Sequence, residues 1–315
     1  MIRTLDPALR CRLAVLAAGV LWSTGGLFIK GLTAHSGWQN SALGITCYRS
    51  LFAALCLSAA LRGRALPPAR ELLPSILFYT LLLSLYVAST QGTSAANAIF
   101  LQYTAPVYAL VLGPRFFREP FARADLLTLF GAMAGIAVLF LGNFHGGERL
   151  PLLLGAGSGA MFGLFLLWLR RMREADPMAV TAWNNLGVAV LAFLALATTG
   201  APDLELLPRA LTGHPGALWS AGVLLLMGLV QIAAPYVLFS YGLRRVPALE
   251  AGLIALIEPV LNPVWVALLV GERPGPATLV GGFCIVASLA ARYTLFRPRR
   301  PPAGSAGDSA GIGRE

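Results

Sequence analysis

The chain has 315 residues, of which 57% are hydrophobic and only 12% are charged, and its formal net charge is +10. Soluble proteins average about 25% charged residues, so this composition argues against an ordinary soluble domain and indicates a protein of the lipid bilayer. The basic residues lie in the gaps between long apolar runs instead of forming one stripe, which argues against a nucleic-acid partner.

Ten apolar runs follow one another along the chain, and turn signals such as Gly-Pro and Asp-Pro pairs separate many of them. A helix needs roughly 20 apolar residues to cross a bilayer, and most of these runs reach that length. The fold class predicted is therefore all-α integral membrane, with ten transmembrane helices. The predicted spans lie near residues 13–31, 40–61, 72–91, 95–114, 124–142, 151–169, 178–199, 216–241, 247–270 and 276–295.

The charges of the loops predict the orientation of these spans. If the N-terminus is cytoplasmic, the segments on that side carry 19 arginines, the opposite side carries four basic residues, and Arg49 lies within a span, which accounts for all 24. Cytoplasmic loops are enriched in Arg and Lys, so both termini are predicted to be cytoplasmic. The Gly-, Ala-, Ser- and Pro-rich residues 298–315 are predicted to form a disordered cytoplasmic tail.

A weak internal repeat underlies the ten spans. A shift of 153 residues pairs Pro106 with Pro259, and a shift of 140 residues pairs Trp22 with Phe162. The repeat unit is therefore five spans, and because five is odd, the second unit enters the membrane from the opposite side. We predict two inverted five-helix repeats. Such repeats are typical of secondary transporters, whose binding site lies near the membrane midplane.

Several motifs carry a family resemblance. Residues 257–272 resemble the second-repeat signature of EamA-type exporters in the drug/metabolite transporter superfamily, as do Trp22-Ser23, Tyr48-Arg49-Ser50 and the stretch from Thr104 through Glu119. The resemblance covers about residues 10–295. It implies two EamA-type five-helix repeats, at 1–145 and 146–297, and export of small metabolites such as amino acids or drugs across the bacterial inner membrane.

Ionisable residues within a span are costly, which makes the few in this chain informative. Arg49 and Glu258 both lie near the predicted midplane, and Glu250 lies nearer the cytoplasmic end of its span. One interpretation is a substrate or proton site, in which an unpaired Glu258 takes up and releases a proton. The other is a buried ion pair between Arg49 and Glu258 that fixes the packing of the helices.

Polar and aromatic residues at helical spacing extend this candidate site. Glu250, Glu258, Asn262 and Trp265 follow one face of the ninth predicted span, and Trp22 with Trp265 would suit an apolar or aromatic substrate. A wider set, which includes Tyr79, Tyr86, Gln231 and Tyr236, is expected to divide between cavity lining and contacts between helices. The candidate pathway residues are Trp22, Arg49, Gln102, Tyr103, Asn184, Glu250, Glu258, Asn262 and Trp265.

Prolines and glycines within spans predict local geometry. Pro106, Pro259 and Pro263 are predicted to kink their helices, and the backbone carbonyls that they free would either bind substrate or simply mark the kinks. Gly155, Gly159 and Gly163 recur every four residues in the sixth span, which predicts close contact with a neighbouring helix.

The sequence contains no CxxC, no HExxH motif and no phosphate-binding loop, so no metal, cofactor or enzymatic activity is expected. The main prediction is a multi-pass carrier of the inner membrane, whose partners are a small-molecule substrate and the lipid bilayer, with protons as a candidate coupling ion. The alternatives are a membrane facilitator and a non-transporting scaffold or sensor. An intramembrane enzyme would need a metal site or an activated nucleophile, and the sequence offers neither.

Overall fold

The computed structural model describes residues 6–35, 40–58, 61, 67–117, 123–143, 148–172 and 174–294, and every regular element within these ranges is a helix. The predicted tail, residues 298–315, lies outside the described residues. A 3₁₀ turn at Pro202–Glu205 and a π-helical segment at Met227–Ala233 accompany the α-helices. The α-helices are α1 (Pro7–Trp22), α2 (Gly25–His35), α3 (Ala42–Ser58), α4 (Ala69–Gly92), α5 (Ala95–Gln102), α6 (Ala105–Phe117), α7 (Arg123–Asn143), α8 (Arg149–Arg171), α9 (Pro177–Thr199), α10 (Leu206–Leu211), α11 (Pro215–Leu226), α12 (Ala234–Gly242), α13 (Ala248–Ala255), α14 (Ile257–Leu269) and α15 (Pro276–Thr294).

Seven helical segments of the described chain are long and apolar enough to cross a bilayer, and three shorter apolar helices accompany them. All ten coincide with the positions predicted for the spans. The longer segments are Pro7–Ala34, Ala69–Gly92, Ala95–Gly113, Arg149–Arg171, Pro177–Thr199, Pro215–Gly242 and Glu250–Leu269. The shorter ones are Ala42–Ser58, Leu126–Gly142 and Pro276–Arg292.

Large apolar side chains cover the outward surface of the helices. Phe130 is 80% exposed on α7, Phe283 is 73% exposed on α15, and Leu268 is 71% exposed on α14. In water such a surface would drive aggregation, but in a bilayer it contacts lipid tails. The surface therefore agrees with the apolar composition in identifying an integral membrane protein.

The most extensive helix contacts join the two halves of the chain. Helix α4 packs along α8 and α1 packs along α12, while α3 packs along α9 and α7 along α15. If the ten apolar segments are numbered in chain order, α4 on α8 is a contact of segment 3 with segment 6, and α1 on α12 is a contact of segment 1 with segment 8. In both contacts the third segment of one half packs on the first segment of the other half, so the packing is reciprocal.

Three of the apolar segments are interrupted by short breaks. Helix α1 gives way to α2 at Ser23-Thr24, α5 to α6 at Tyr103-Thr104, and α13 to α14 at Leu256. The breaks at Tyr103 and Leu256 are related by the 153-residue shift of the sequence repeat, and each lies three residues before a proline, Pro106 or Pro259. Because proline lacks an N–H and its ring crowds the preceding turn, it favours an interruption at this distance.

The third predicted kink takes a different form. Pro263 lies inside α14, which continues through it from Ile257 to Leu269. The interruption of this span therefore lies at Leu256, near Pro259, and the described helix has no second break at Pro263.

Glycines allow α8 to lie directly against the break between α5 and α6. A Cβ atom added at Gly159 would collide with the carbonyl oxygen of Leu101 and the hydroxyl of Thr104, and one at Gly163 would lie 2.7 Å from the carbonyl oxygen of Ala105. The four-residue glycine spacing in α8 thus forms the close helix contact that the sequence predicts.

Candidate functional site

A cavity of about 330 Å³ lies between the two halves of the chain. This volume is at the lower end of the range for small-molecule sites. Helices α1, α3, α4, α5 and α6 line it from the first half, and α8, the π-helical segment, α12, α13, α14 and α15 line it from the second. Among the predicted pathway and kink residues, those that line the cavity are Trp22, Arg49, Gln102, Tyr103, Glu258 and Pro106.

Arg49 is the basic residue of this site. Its side chain is 1% exposed, and its Nη1 atom lies 3.3 Å from the Oε1 atom of Gln231 in the π-helical segment. Its Nε and Nη2 atoms are buried and have no hydrogen-bond partner among the described residues. Tyr79, Tyr86 and Tyr236 line the same cavity as this guanidinium group.

Glu258 is the acidic residue of the site, and it is bound by a residue of the other half. The Tyr103 hydroxyl donates a hydrogen bond to its Oε2 atom at 2.7 Å, and the Tyr103 oxygen also lies 3.3 Å from the carbonyl oxygen of Ala255. That carbonyl is one of those that the proline pattern predicts to be free. In this structure the Tyr103 hydroxyl, at the matching break of the other half, lies beside that carbonyl.

Arg49 and Glu258 line one cavity without forming an ion pair. Ion pairs between other described residues include Arg12 with Glu250, Lys30 with Glu272, Arg70 with Glu71 and Arg209 with Glu205, and none joins Arg49 to Glu258. Of the two interpretations drawn from the sequence, the buried pair that fixes helix packing is therefore not the one adopted.

Other predicted residues on the ninth span lie away from the cavity. Glu250 pairs with Arg12 at 2.7 Å, where both side chains are partly exposed. Asn262 is fully buried, 3.5 Å from the Tyr86 hydroxyl, and the Trp265 indole donates to the Ser23 hydroxyl at 2.8 Å. The break at Leu256 separates Glu250 from the rest of the predicted stripe, whereas Asn262 and Trp265 lie in the same helix as Glu258 and contact different neighbours.

Asn184 is also absent from the cavity lining. It is 1% exposed within α9, and neither atom of its amide has a hydrogen-bond partner among the described residues. Helix α9 packs mainly against α3, whose Thr46 and Ser50 hydroxyls are likewise buried without partners there.

Aromatic rings form much of the wall, and only some were among the sequence candidates. Trp22 lies 5.3 Å from Tyr236 and 5.2 Å from Phe239 between ring centroids. Phe162 and Phe165 of α8 line the cavity as well. The sequence repeat did contain a signal for Phe162, because the 140-residue shift pairs it with Trp22, whereas Phe165 and Phe239 resemble any lipid-facing phenylalanine.

A polar network joins the two halves beyond the cavity, at the end of the bundle that the loop charges predict to be external. The Lys30 ammonium lies 2.8 Å from the Glu272 carboxylate and donates to the carbonyl of Thr93 at 2.7 Å. The second oxygen of Glu272 accepts the N–H of Ala95, the first residue of α5, at 2.7 Å. We call Lys30, Thr93, Ala95 and Glu272 the outer network.

Comparison with known proteins identifies the family. The sequence model of the EamA-like transporter family matches residues 9–141 and, separately, residues 149–293. The chain belongs to the EamA-like transporter family. As an EamA-like transporter it is a multi-pass membrane protein, which in bacteria is located in the inner membrane, and the resemblance drawn from its motifs is confirmed. Transporters of this family are generally not enzymes.

Two relatives of this EamA-like transporter share most of its length. A protein of Archaeoglobus fulgidus named an uncharacterized transporter is 29% identical over 88% of this chain and 93% of its own. YdfC of Bacillus subtilis, also named an uncharacterized transporter, is 25% identical over 76% of this chain and 77% of its own. A solved crystal structure with 19% identity superposes with a TM-score of 0.61 over 91% of this chain and 96% of that one, which shows a common fold.

Proposed function

We propose that this EamA-like chain is a secondary transporter that exports small metabolites, such as amino acids or drugs, by alternating access. Its ten apolar segments would form two inverted five-helix repeats, residues 1–145 and 146–297, with both termini cytoplasmic. The separate family matches at residues 9–141 and 149–293 support a duplicated unit. The reciprocal packing of α4 on α8 and of α1 on α12 supports a two-fold relation between the units.

The observation that carries this proposal is the cavity, which both halves line. Under the predicted topology, Leu169, Gly252 and Leu289 line it within a few residues of the cytoplasmic ends of α8, α13 and α15. At the opposite end, the outer network holds helices of both halves together through Lys30 and Glu272. The two halves would thus be held together at the external end, while the cavity lies toward the cytoplasmic end. This arrangement is the one expected of an inward-facing carrier.

We further propose that Glu258 takes up and releases the coupling proton. It is the sole carboxylate among the described residues that line the cavity, and Tyr103 rather than a basic side chain is its hydrogen-bond partner. A carboxyl group that has no cation beside it and borders a cavity in the membrane is able to exchange a proton with the water there.

The proposal predicts that Glu258→Gln abolishes gradient-driven transport. Purified protein in liposomes would be screened with amino acids, purines and small drugs, with and without a pH gradient across the membrane. We expect flux of one class to depend on the gradient in the wild-type protein and to fall to background in the variant, because glutamine carries no exchangeable acidic proton. Glu205→Gln, which changes an exposed carboxylate outside the cavity, is the matched control and should retain the flux.

Two other results would contradict parts of the proposal. Flux that is independent of the gradient and survives Glu258→Gln would indicate a facilitator and return Glu258 to a structural role. Absence of flux for the whole panel, with the protein folded, would contradict transport and favour a scaffold or sensor.

A further inference from the structure

We propose that the cavity binds an aromatic monocarboxylate, and that Arg49 binds its carboxylate group. This inference rests on the proposed function, because it names the substrate class of the same site. It begins from the one basic side chain that lines the cavity in the part of the chain that the structure describes.

The guanidinium group of Arg49 has hydrogen-bonding capacity that the protein does not use. Arginine carries five N–H donors in a fixed planar arrangement and stays protonated in proteins. Its Nε and Nη2 atoms, which are buried without partners among the described residues, form the same edge of the guanidinium plane. That edge is the one that binds both oxygens of a carboxylate in parallel. The single contact with Gln231 is long, at 3.3 Å, and leaves this edge available.

The environment of Arg49 supplies neutral groups but no counter-ion. Tyr79, Tyr86 and Tyr236 line the cavity with it, and no ion pair of the described residues includes it. A buried cation without a partner is costly in a membrane protein, and such residues typically mark substrate or ion pathways. An anion from outside the chain would complete the site.

The walls of the cavity decide the rest of the substrate. Trp22, Phe162, Phe165 and Phe239 line it, so the body of the substrate would lie among aromatic rings and be apolar or aromatic. A phosphate carries more negative charge than one arginine neutralises, and Glu258 in the same cavity would repel the excess. A single carboxylate on an aromatic body therefore fits the site better than a phosphate ester.

The test compares acids with their neutral amides at pH 7. Binding of phenylacetate, indole-3-acetate and benzoate to the protein in lipid nanodiscs would be measured by calorimetry beside phenylacetamide, indole-3-acetamide and benzamide. We expect at least one acid to bind roughly 30-fold or more tightly than its amide, because the amide leaves the guanidinium without a counter-ion. Phenylalanine and phenethylamine, run in parallel, report whether an ammonium group adds affinity through Glu258.

Variants then assign the preference to one side chain. Arg49→Gln should remove the preference of acid over amide, and Arg49→Lys, which keeps the charge but not the planar edge, should retain a smaller preference. Arg209→Gln removes a positive charge far from the cavity and should leave binding unchanged. The acid and amide comparison in the wild-type protein needs no variant, so it holds even if Arg49→Gln does not fold.

The inference is overturned if the wild-type protein binds the amides as tightly as the acids, if it binds neither, or if a folded Arg49→Gln variant keeps the preference. These outcomes differ from failure of the proposed function. A protein that moves phenethylamine or phenylacetamide across liposomes independently of Arg49 is still a transporter, and contradicts the substrate class alone.

Discussion

Gly159→Ala is expected to lower the free energy of unfolding by about 2–3 kcal/mol, as overpacked sites do. The new methyl group would collide with the carbonyl oxygen of Leu101 and the hydroxyl of Thr104. The carbonyl is backbone and cannot turn aside, so α8 must move away from the junction of α5 and α6. Because that junction carries Tyr103, we also expect transport to be lost. Reversible unfolding of the purified protein in detergent and liposome flux measure the two effects.

Gly157→Ala is the matched control, since it lies in the same helix and gains the same helix propensity. A Cβ atom there meets only a side-chain methyl group of Leu85, at 3.4 Å, which is ordinary van der Waals contact. We expect its stability to equal or slightly exceed that of the wild-type protein, because alanine favours a helix over glycine by about 1 kcal/mol. Equal stabilities of the two alanine variants would contradict the close contact that the structure assigns to Gly159.

Glu272→Gln is expected to open the outer side of the protein, with a roughly tenfold rise in the outward-open population. The substitution removes the ion pair to Lys30 and weakens the bond from the N–H of Ala95, so two links between the halves are affected. Both side chains of the ion pair are partly exposed, at 16% and 23%, so we expect a contribution of about 1–2 kcal/mol, less than for a fully buried pair.

Distances between spin labels measure this change. The labels would be attached to cysteines introduced at Ala34, at the end of α2, and at Gly275, just before α15. The four native cysteines would be replaced in the same protein. We expect Glu272→Gln to populate a longer distance than the wild-type protein does. Glu205→Gln breaks an ion pair of similar length that lies within one segment, and should leave the distances unchanged. An unchanged distribution in Glu272→Gln would show that the outer network does not hold the halves together.

The sequence predicts features that depend on a single helix, but it does not predict which side chains of different helices contact each other. The ten apolar segments, the glycine contact of α8 and the breaks near Pro106 and Pro259 follow from local pattern. The sequence also predicts a similar membrane depth for Arg49 and Glu258, but depth does not give the angle of a side chain around the bundle. Whether the two residues pair therefore could not be decided before the structure.

The partners of the other candidates depend on tertiary packing. Glu250 binds Arg12, and Trp265 binds Ser23 at the break between α1 and α2, and neither helix neighbour can be inferred from the spacing along one span. The pairing of Lys30 with Glu272 is equally remote in sequence. The repeat was the one long-range signal available, and it relates Trp22 to Phe162, which both line the cavity.

The hydroxyl group of Tyr103 has a single hydrogen, and its oxygen lies 2.7 Å from Glu258 Oε2 and 3.3 Å from the Ala255 carbonyl oxygen. The shorter distance is that of a normal O–H···O bond, so the Tyr103 hydroxyl donates its hydrogen to Glu258 while that carboxylate is ionised. Once Glu258 carries a proton, it is able to donate to the Tyr103 oxygen, and the tyrosine hydrogen would then turn toward the Ala255 carbonyl. Ala255 is the last residue of α13, directly before the break. The protonation of one carboxyl group would thus be converted into a new bond at the break between α13 and α14.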